Sequence, residues 1–267
     1  MVEGLQRFRD HFRDDSGDFV IIGGVACDEW FESQGLTFRA TRDIDIVLMI
    51  ESPGPISPGF VERWWEFINA GEYEAREKLD GSRICHRFVK PQQVGFPAML
   101  ELFSRTPDAA TFDEGQVVLR IPEDGEAVSL SAILMDEVYY QLIRDHAHEV
   151  NGLRFAGPEA LIPLKAAAWL DLSERSGNGE SVKARDIRKH RNDVFHLAAT
   201  LPNHPGPDLD DSIRADLRRF LADFPAESGD WQAIGESLRS TLGGAAVMDP
   251  GALIDGVSTY FSLHEGR

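Results

Sequence analysis

The 267-residue sequence predicts an α+β fold: a mixed-sheet lobe followed by a mainly α-helical lobe. Two observations carry that expectation. Short apolar runs with strand character, FVII at 19–22, DIDIVLMI at 43–50 and AMLELFSR at 98–105, are confined to the first part of the chain. After GPEALIPLKAAAWLDL, at 157–172, apolar residues recur at helical spacing between loops. The change falls near residue 155, which divides the chain into 1–155 and 156–267.

Taken in order, Leu5, Phe8 and Phe12 stand at helical spacing and predict a short amphipathic helix. The strand FVIIGG follows, and its two glycines permit a sharp turn into a helix from Val25 to about Ser33. LTFRATRDIDIVLMI reads as extended chain and strand, closed by the turn cluster ESPGPISPG. FVERWWEFINAGEYEAREKL, 60–79, reads as helix, and RICHRFVK, AMLELFSR and GQVVLRI as strands. From SLSAILMDEVYYQLIRD onward the pattern is helical. Near the C-terminus SIRADLRRFLADF and DWQAIGESLRSTL are amphipathic, and Asp249 before Pro250 is a helix start.

With 42% hydrophobic residues the composition is that of an ordinary globular protein. No apolar run is long enough to span a bilayer, and MVEGLQRFRDHFRDD has no signal-peptide core, so a cytoplasmic protein with no membrane partner is expected. Two cysteines, Cys27 and Cys85, make no disulfide framework or zinc pattern and are expected to be buried thiols. A net charge of −18 argues against a protein that coats nucleic acid. One basic stretch, KARDIRKHR at 183–191, is either a solvated helix face or a local grip on an anionic substrate.

The strand DIDIVLMI poses the chemical question. Alternation places Asp43, Asp45, Val47 and Met49 on one face and Ile44, Ile46, Leu48 and Ile50 on the other. The isoleucine face wants a core, so both carboxylates emerge together on the opposite face, roughly 7 Å apart along the strand. Like charges that close repel unless a cation lies between them. Magnesium suits the site, since it takes hard oxygen ligands, keeps waters and bridges to substrate phosphates. Gly23 and Gly24, at a strand end and helix start, offer bare amides to a phosphate. Glu101 is the lone acid of an apolar strand, which makes it either a salt-bridged structural residue or a third functional acid.

In the helical part Leu161, Lys165, Ala168, Trp169 and Leu172 share a face, so Lys165 either snorkels to solvent or projects into a cleft. In the next helix Ile187, Val194, Leu197 and Ala198 form the expected inward stripe, with Asp186, Lys189 and Asp193 on an adjoining face. That trio is either a surface ion-pair ladder or a nucleotide contact in which Lys189 is oriented by Asp186 or Asp193. His190 is open to a reading as a surface histidine.

The order Gly-Gly, then Asp-Ile-Asp, then a later strand acid resembles the nucleotidyltransferase superfamily. LIPLKAAAWLDLSER and KARDIRKHRNDVFHL are similar to the AbiEii/AbiGii toxin family of nucleotidyltransferases, and the resemblance covers about residues 20–200. Gly24 stands where that pattern often has serine, and the gap from Gly24 to Asp43 is longer than in minimal members. The resemblance implies Mg²⁺ or Mn²⁺ at Asp43 and Asp45, and an NTP whose phosphates meet Gly23, Gly24, Lys165 and Lys189. Asp186 or Asp193 would be the motif acid, and Glu101 the third acid. It further implies NMP transfer with release of pyrophosphate, a toxin role in a toxin-antitoxin or phage-defence system, a cognate antitoxin, and tRNA as acceptor in some relatives. A small-molecule or protein nucleotidyltransferase and a non-catalytic nucleotide-binding module are the other two readings.

Overall fold

The computed structural model describes residues 2–49, 58–75, 85–103, 133, 136–243 and 249–264. The chain opens with α1 (Leu5–Phe12), a 3₁₀ turn (Arg13–Asp15), β1 (Phe19–Ile22), α2 (Gly23–Ser33) and β2 (Asp43–Leu48). Then come α3 (Pro58–Gly71), β3 (Glu74–Ala75), β4 (Cys85–Val89) and β5 (Met99–Phe103). After α4 (Glu137–Asp145) a hairpin, β6 (Ala147–Val150) and β7 (Leu153–Ala156), precedes the helices α5 (Pro158–Gly177) and α6 (Ala184–Ala198). The last three are α7 (Asp211–Ala222), α8 (Trp231–Leu242) and α9 (Pro250–Tyr260). The fold is mixed α+β, with the strands in one sheet of order β3-β4-β5-β2-β1-β7-β6. β2 runs parallel to β5 and antiparallel to β1, and β1 is parallel to β7, so the sheet is mixed.

The register sorts the strand residues into two faces. Phe19 opposes Leu48 and Ile21 opposes Ile46, so these residues share the face that also carries Ile44. Against that face α1 and α3 build an aromatic cluster: Phe8, Phe12, Phe60, Trp64 and Phe67 interlock around Phe19, with ring centroids 4.5–6.0 Å apart. Such offset and edge-on pairs stabilise beyond their buried area. The other face presents Ile22, Asp45, Glu101 and Arg87 as one transverse row across β1, β2, β5 and β4. The predicted alternation therefore holds: Ile44, Ile46 and Leu48 are fully buried, whereas Asp43 and Asp45 are half-buried on the opposite face.

Several sequence expectations are corrected. Residues 147–150 and 153–156 were expected to be helical, but they form the β6–β7 hairpin at one edge of the sheet. Its turn is Asn151-Gly152, with φ 51° and 77°, the left-handed pair that a tight hairpin demands. The helix expected over 60–79 stops at Gly71: Glu72 adopts φ 50° and the chain enters β3. A side chain at Gly71 would meet the rings of Tyr73 and Phe96, so the turn is packed tightly. The strand GQVVLRI lies outside the described residues. The final helix starts as predicted, with the Asp249 carboxylate accepting from Ala252 N at 2.9 Å. Among the described residues no helix is long and apolar enough to cross a membrane.

Candidate functional site

The carboxylate face of the sheet opens into a cleft of about 410 Å³. β2 contributes Asp43 and Asp45, β5 Met99 and Glu101, and β4 Arg87. Gly24 of α2 and Arg39 and Thr41 of the loop before β2 form a second wall. Lys183, Arg185, Asp186 and Lys189 close it from α6 and the residue preceding that helix. A protein of net charge −18 thus gathers five cationic side chains here. Four carboxylates line it as well, and Arg39, Arg87 and Arg185 are each paired with an acid.

The parallel pairing of β2 with β5 sets the acids side by side, Asp43 opposite Met99 and Asp45 opposite Glu101. Neighbouring strands are roughly 4.8 Å apart, so Glu101 lies within reach of anything held by Asp45. Glu101 is also ion-paired with Arg87, its partner on β4, through both guanidinium Nε and a terminal nitrogen. Glu101 is therefore salt-bridged, and it also lines the cleft.

Gly23 takes φ 69°, which only glycine adopts cheaply, and a β-carbon there would overlap the Asp45 carboxylate. Gly24 is as confined, since its β-carbon would lie 2.6 Å from Thr41 Oγ1. The glycine pair therefore lets the start of α2 approach β2 closely. Gly23→Ala is expected to destabilise by about 1–2 kcal/mol from the left-handed backbone alone. It should also displace Asp45; urea unfolding midpoints of the variant and the native protein test the first effect.

Lys165 and Asp193 stand elsewhere. Lys165 neither snorkels to solvent nor lines the cleft: it is 4% exposed, and its Nζ lies 2.9 Å from Asp193 Oδ2. Asp193 is fully buried and also takes a two-pronged contact from Arg39, Nε to Oδ1 at 2.9 Å and a terminal nitrogen to Oδ2 at 2.8 Å. Burial alone would raise the proton affinity of Asp193, but the Lys165 ammonium and the Arg39 guanidinium outweigh it and hold the carboxyl well below the usual carboxylate range. Cys27 is a buried thiol as expected, pushed up to about 11 by burial. The side chain of Cys85 lies outside the described residues.

The face of α6 is also corrected. Asp186, His190 and Asp193 are buried at helical spacing, and Ile187 is only half-buried. Asp193 is held by Lys165 and Arg39 rather than serving Lys189, and His190 is 1% exposed, not a surface histidine. A surface ladder is thereby ruled out for Asp186 and Asp193, while Lys189 and Asp186 reach the cleft. The structure brings together Gly24, Asp43, Asp45, Glu101, Asp186 and Lys189, with Gly23 packed behind Asp45.

Arg39, Thr41, Arg87 and Met99 join the cleft without having been singled out by the sequence. Arg87 is one of several basic residues in RICHRFVK, and only the strand pairing matches it to Glu101. Among the described residues no group of three or more His, Cys, Asp and Glu side chains is arranged to hold a metal ion. The donors that suit a divalent cation are the two carboxylates Asp43 and Asp45, and magnesium is commonly held by one or two carboxylates with waters and substrate phosphates. A scan against protein-family models finds no match, and a search of curated proteins finds none either.

Proposed function

We propose that this chain is a magnesium-dependent nucleotidyltransferase that moves a nucleoside monophosphate from an NTP to an acceptor hydroxyl. The observation that carries the proposal is the shared wall of the cleft: Asp43 and Asp45 on β2, beside Glu101 on the parallel strand β5 and facing Gly24. Asp43 and Asp45 would hold Mg²⁺ or Mn²⁺, which when bound draws charge from the phosphates and favours in-line displacement at phosphorus. Gly24 lines the cleft where α2 begins, packed against Thr41, and Lys183 and Lys189 border it from the α6 side. The acceptor oxygen bonds to the α-phosphorus, the bond to the β-phosphate breaks, and pyrophosphate leaves. Glu101 takes part as the third acid, positioned by Arg87 to accept the acceptor's proton directly or through water.

Lys165 contributes indirectly. Its ammonium neutralises buried Asp193 rather than a phosphate, which leaves the phosphate-facing role to Lys189 on the cleft wall. Asp186, beside Arg185 at 3.3 Å, orients the α6 side of the cleft. The wider setting is a toxin of a toxin-antitoxin or phage-defence system, with RNA such as tRNA as acceptor and a cognate antitoxin as partner.

The test is transfer of label from each α-³²P-NTP, with Mg²⁺, into cellular RNA, protein and small molecules, for the native protein and Asp43→Ala. Label in one fraction with the native protein alone is the expected result and identifies the acceptor class. Nucleotide binding without label in any fraction would replace the enzyme by a nucleotide-sensing module.

A further inference from the structure

We infer that Arg39 is a positioning residue for this reaction, fixing the loop that leads into Asp43 by clamping it to buried Asp193; the inference rests on the nucleotidyltransferase reading. Residues 34–42 join α2 to β2 and contain no regular element. Few backbone hydrogen bonds hold their second half, one being Ala98 N to Arg42 O at 3.2 Å. A side-chain tie comes from Arg39, which crosses to α6 and grips both oxygens of Asp193 at 2.9 and 2.8 Å.

A planar guanidinium on a carboxylate fixes direction as well as distance. Arg39 also lies over the ring of Phe38, 5.0 Å from its centroid, and Phe38 is itself buried. Asp193 receives Lys165 of α5 at the same time, so the loop, α5 and α6 converge on one fully buried carboxylate. The consequence reaches the cleft within a few residues. Thr41, two positions on, packs against Gly24, and Asp43, four positions on, opens β2.

Arg39 therefore borders the cleft with its charge directed at Asp193, not at substrate. A side chain that bound phosphate would set NTP affinity. One that places Asp43 sets the rate, because a misplacement of about 1 Å at a reacting group costs up to about a hundredfold.

The experiment pairs two measurements on native protein, Arg39→Gln and Arg39→Lys: hydrogen exchange at the tie of the loop to the sheet, the Ala98 amide that donates to Arg42 O, and label-transfer kinetics. In Arg39→Gln, this loop exchange is expected to rise about tenfold or more as local opening becomes easier. kcat is expected to fall about thirtyfold or more, with the KM for NTP within about threefold. Arg39→Lys keeps the charge beside Asp193 but loses the fork, so it should fold like the native protein and recover only part of kcat. A KM raised about tenfold with kcat preserved would make Arg39 a phosphate ligand and overturn the inference. Unchanged loop exchange in both variants would overturn it too. If the native protein transfers no label, the nucleotidyltransferase reading fails by itself, and loop exchange still decides whether the clamp exists.

Discussion

For the proposed nucleotidyl transfer, Asp45→Asn is expected to lower the rate by about a thousandfold or more, equivalent to about 4 kcal/mol of barrier, with the fold intact. Asparagine keeps the volume of aspartate, so the close contact with Gly23 survives and the isoleucine face of β2 is untouched. What changes is charge. A neutral amide beside Asp43 halves the negative charge offered to a divalent cation, and the charge of Glu101, though within reach, is already paired with Arg87. The assay is kcat with saturating Mg²⁺ and NTP, alongside the thermal midpoint. A variant with native turnover would remove Asp45 from the chemistry.

The largest effect on stability belongs to a different aspartate. Asp193→Asn is expected to destabilise the protein by about 3–5 kcal/mol, the usual consequence of removing one partner from a buried charge set. It would strand Lys165 and weaken the hold on Arg39, both now satisfied by one carboxylate. The pH dependence has a definite sign. Because the folded-state affinity of Asp193 for a proton is depressed, its stabilisation is fully present above the unfolded carboxylate pKa of about 3.9. It is lost as pH falls below that value toward the folded one. Urea unfolding of native and variant protein should therefore differ by a constant amount from neutral pH to about pH 5, and the difference should shrink below about pH 4. A difference that grew on acidification would contradict the assignment of Asp193 as a charged, doubly paired carboxylate.

Much of the cleft was legible because strand alternation is a short-range rule. Asp43 and Asp45 fall on one face, and Ile44 and Ile46 on the other, whatever the rest of the chain does. Glu101 stood out as an acid in an apolar run, but its neighbour Arg87 could be assigned only once β4 and β5 were in register. The clamp on Asp193 spans 154 residues of sequence between Arg39 and its partner, and no local pattern encodes such a contact.

For the same reason Lys165 pointed to a cleft or to solvent, when its actual partner is an acid on the following helix. The β6–β7 hairpin is a different kind of miss. Asn151-Gly152 is its one local signal, because the flanking AHEV and LRFA are short, only partly apolar and set between helical segments. Helix α3 ended early because Gly71 and the left-handed Glu72 turn the chain, a backbone feature that the amphipathic pattern across 60–79 conceals.

The most direct measurement of the central claim is the stoichiometry of pyrophosphate released to NMP incorporated, followed as Mg²⁺ is titrated from none to saturation. The account predicts equal amounts of the two products, neither of them without a divalent cation, and neither with Asp45→Asn. Release of orthophosphate instead of pyrophosphate, or turnover that persists without a divalent cation, would contradict it.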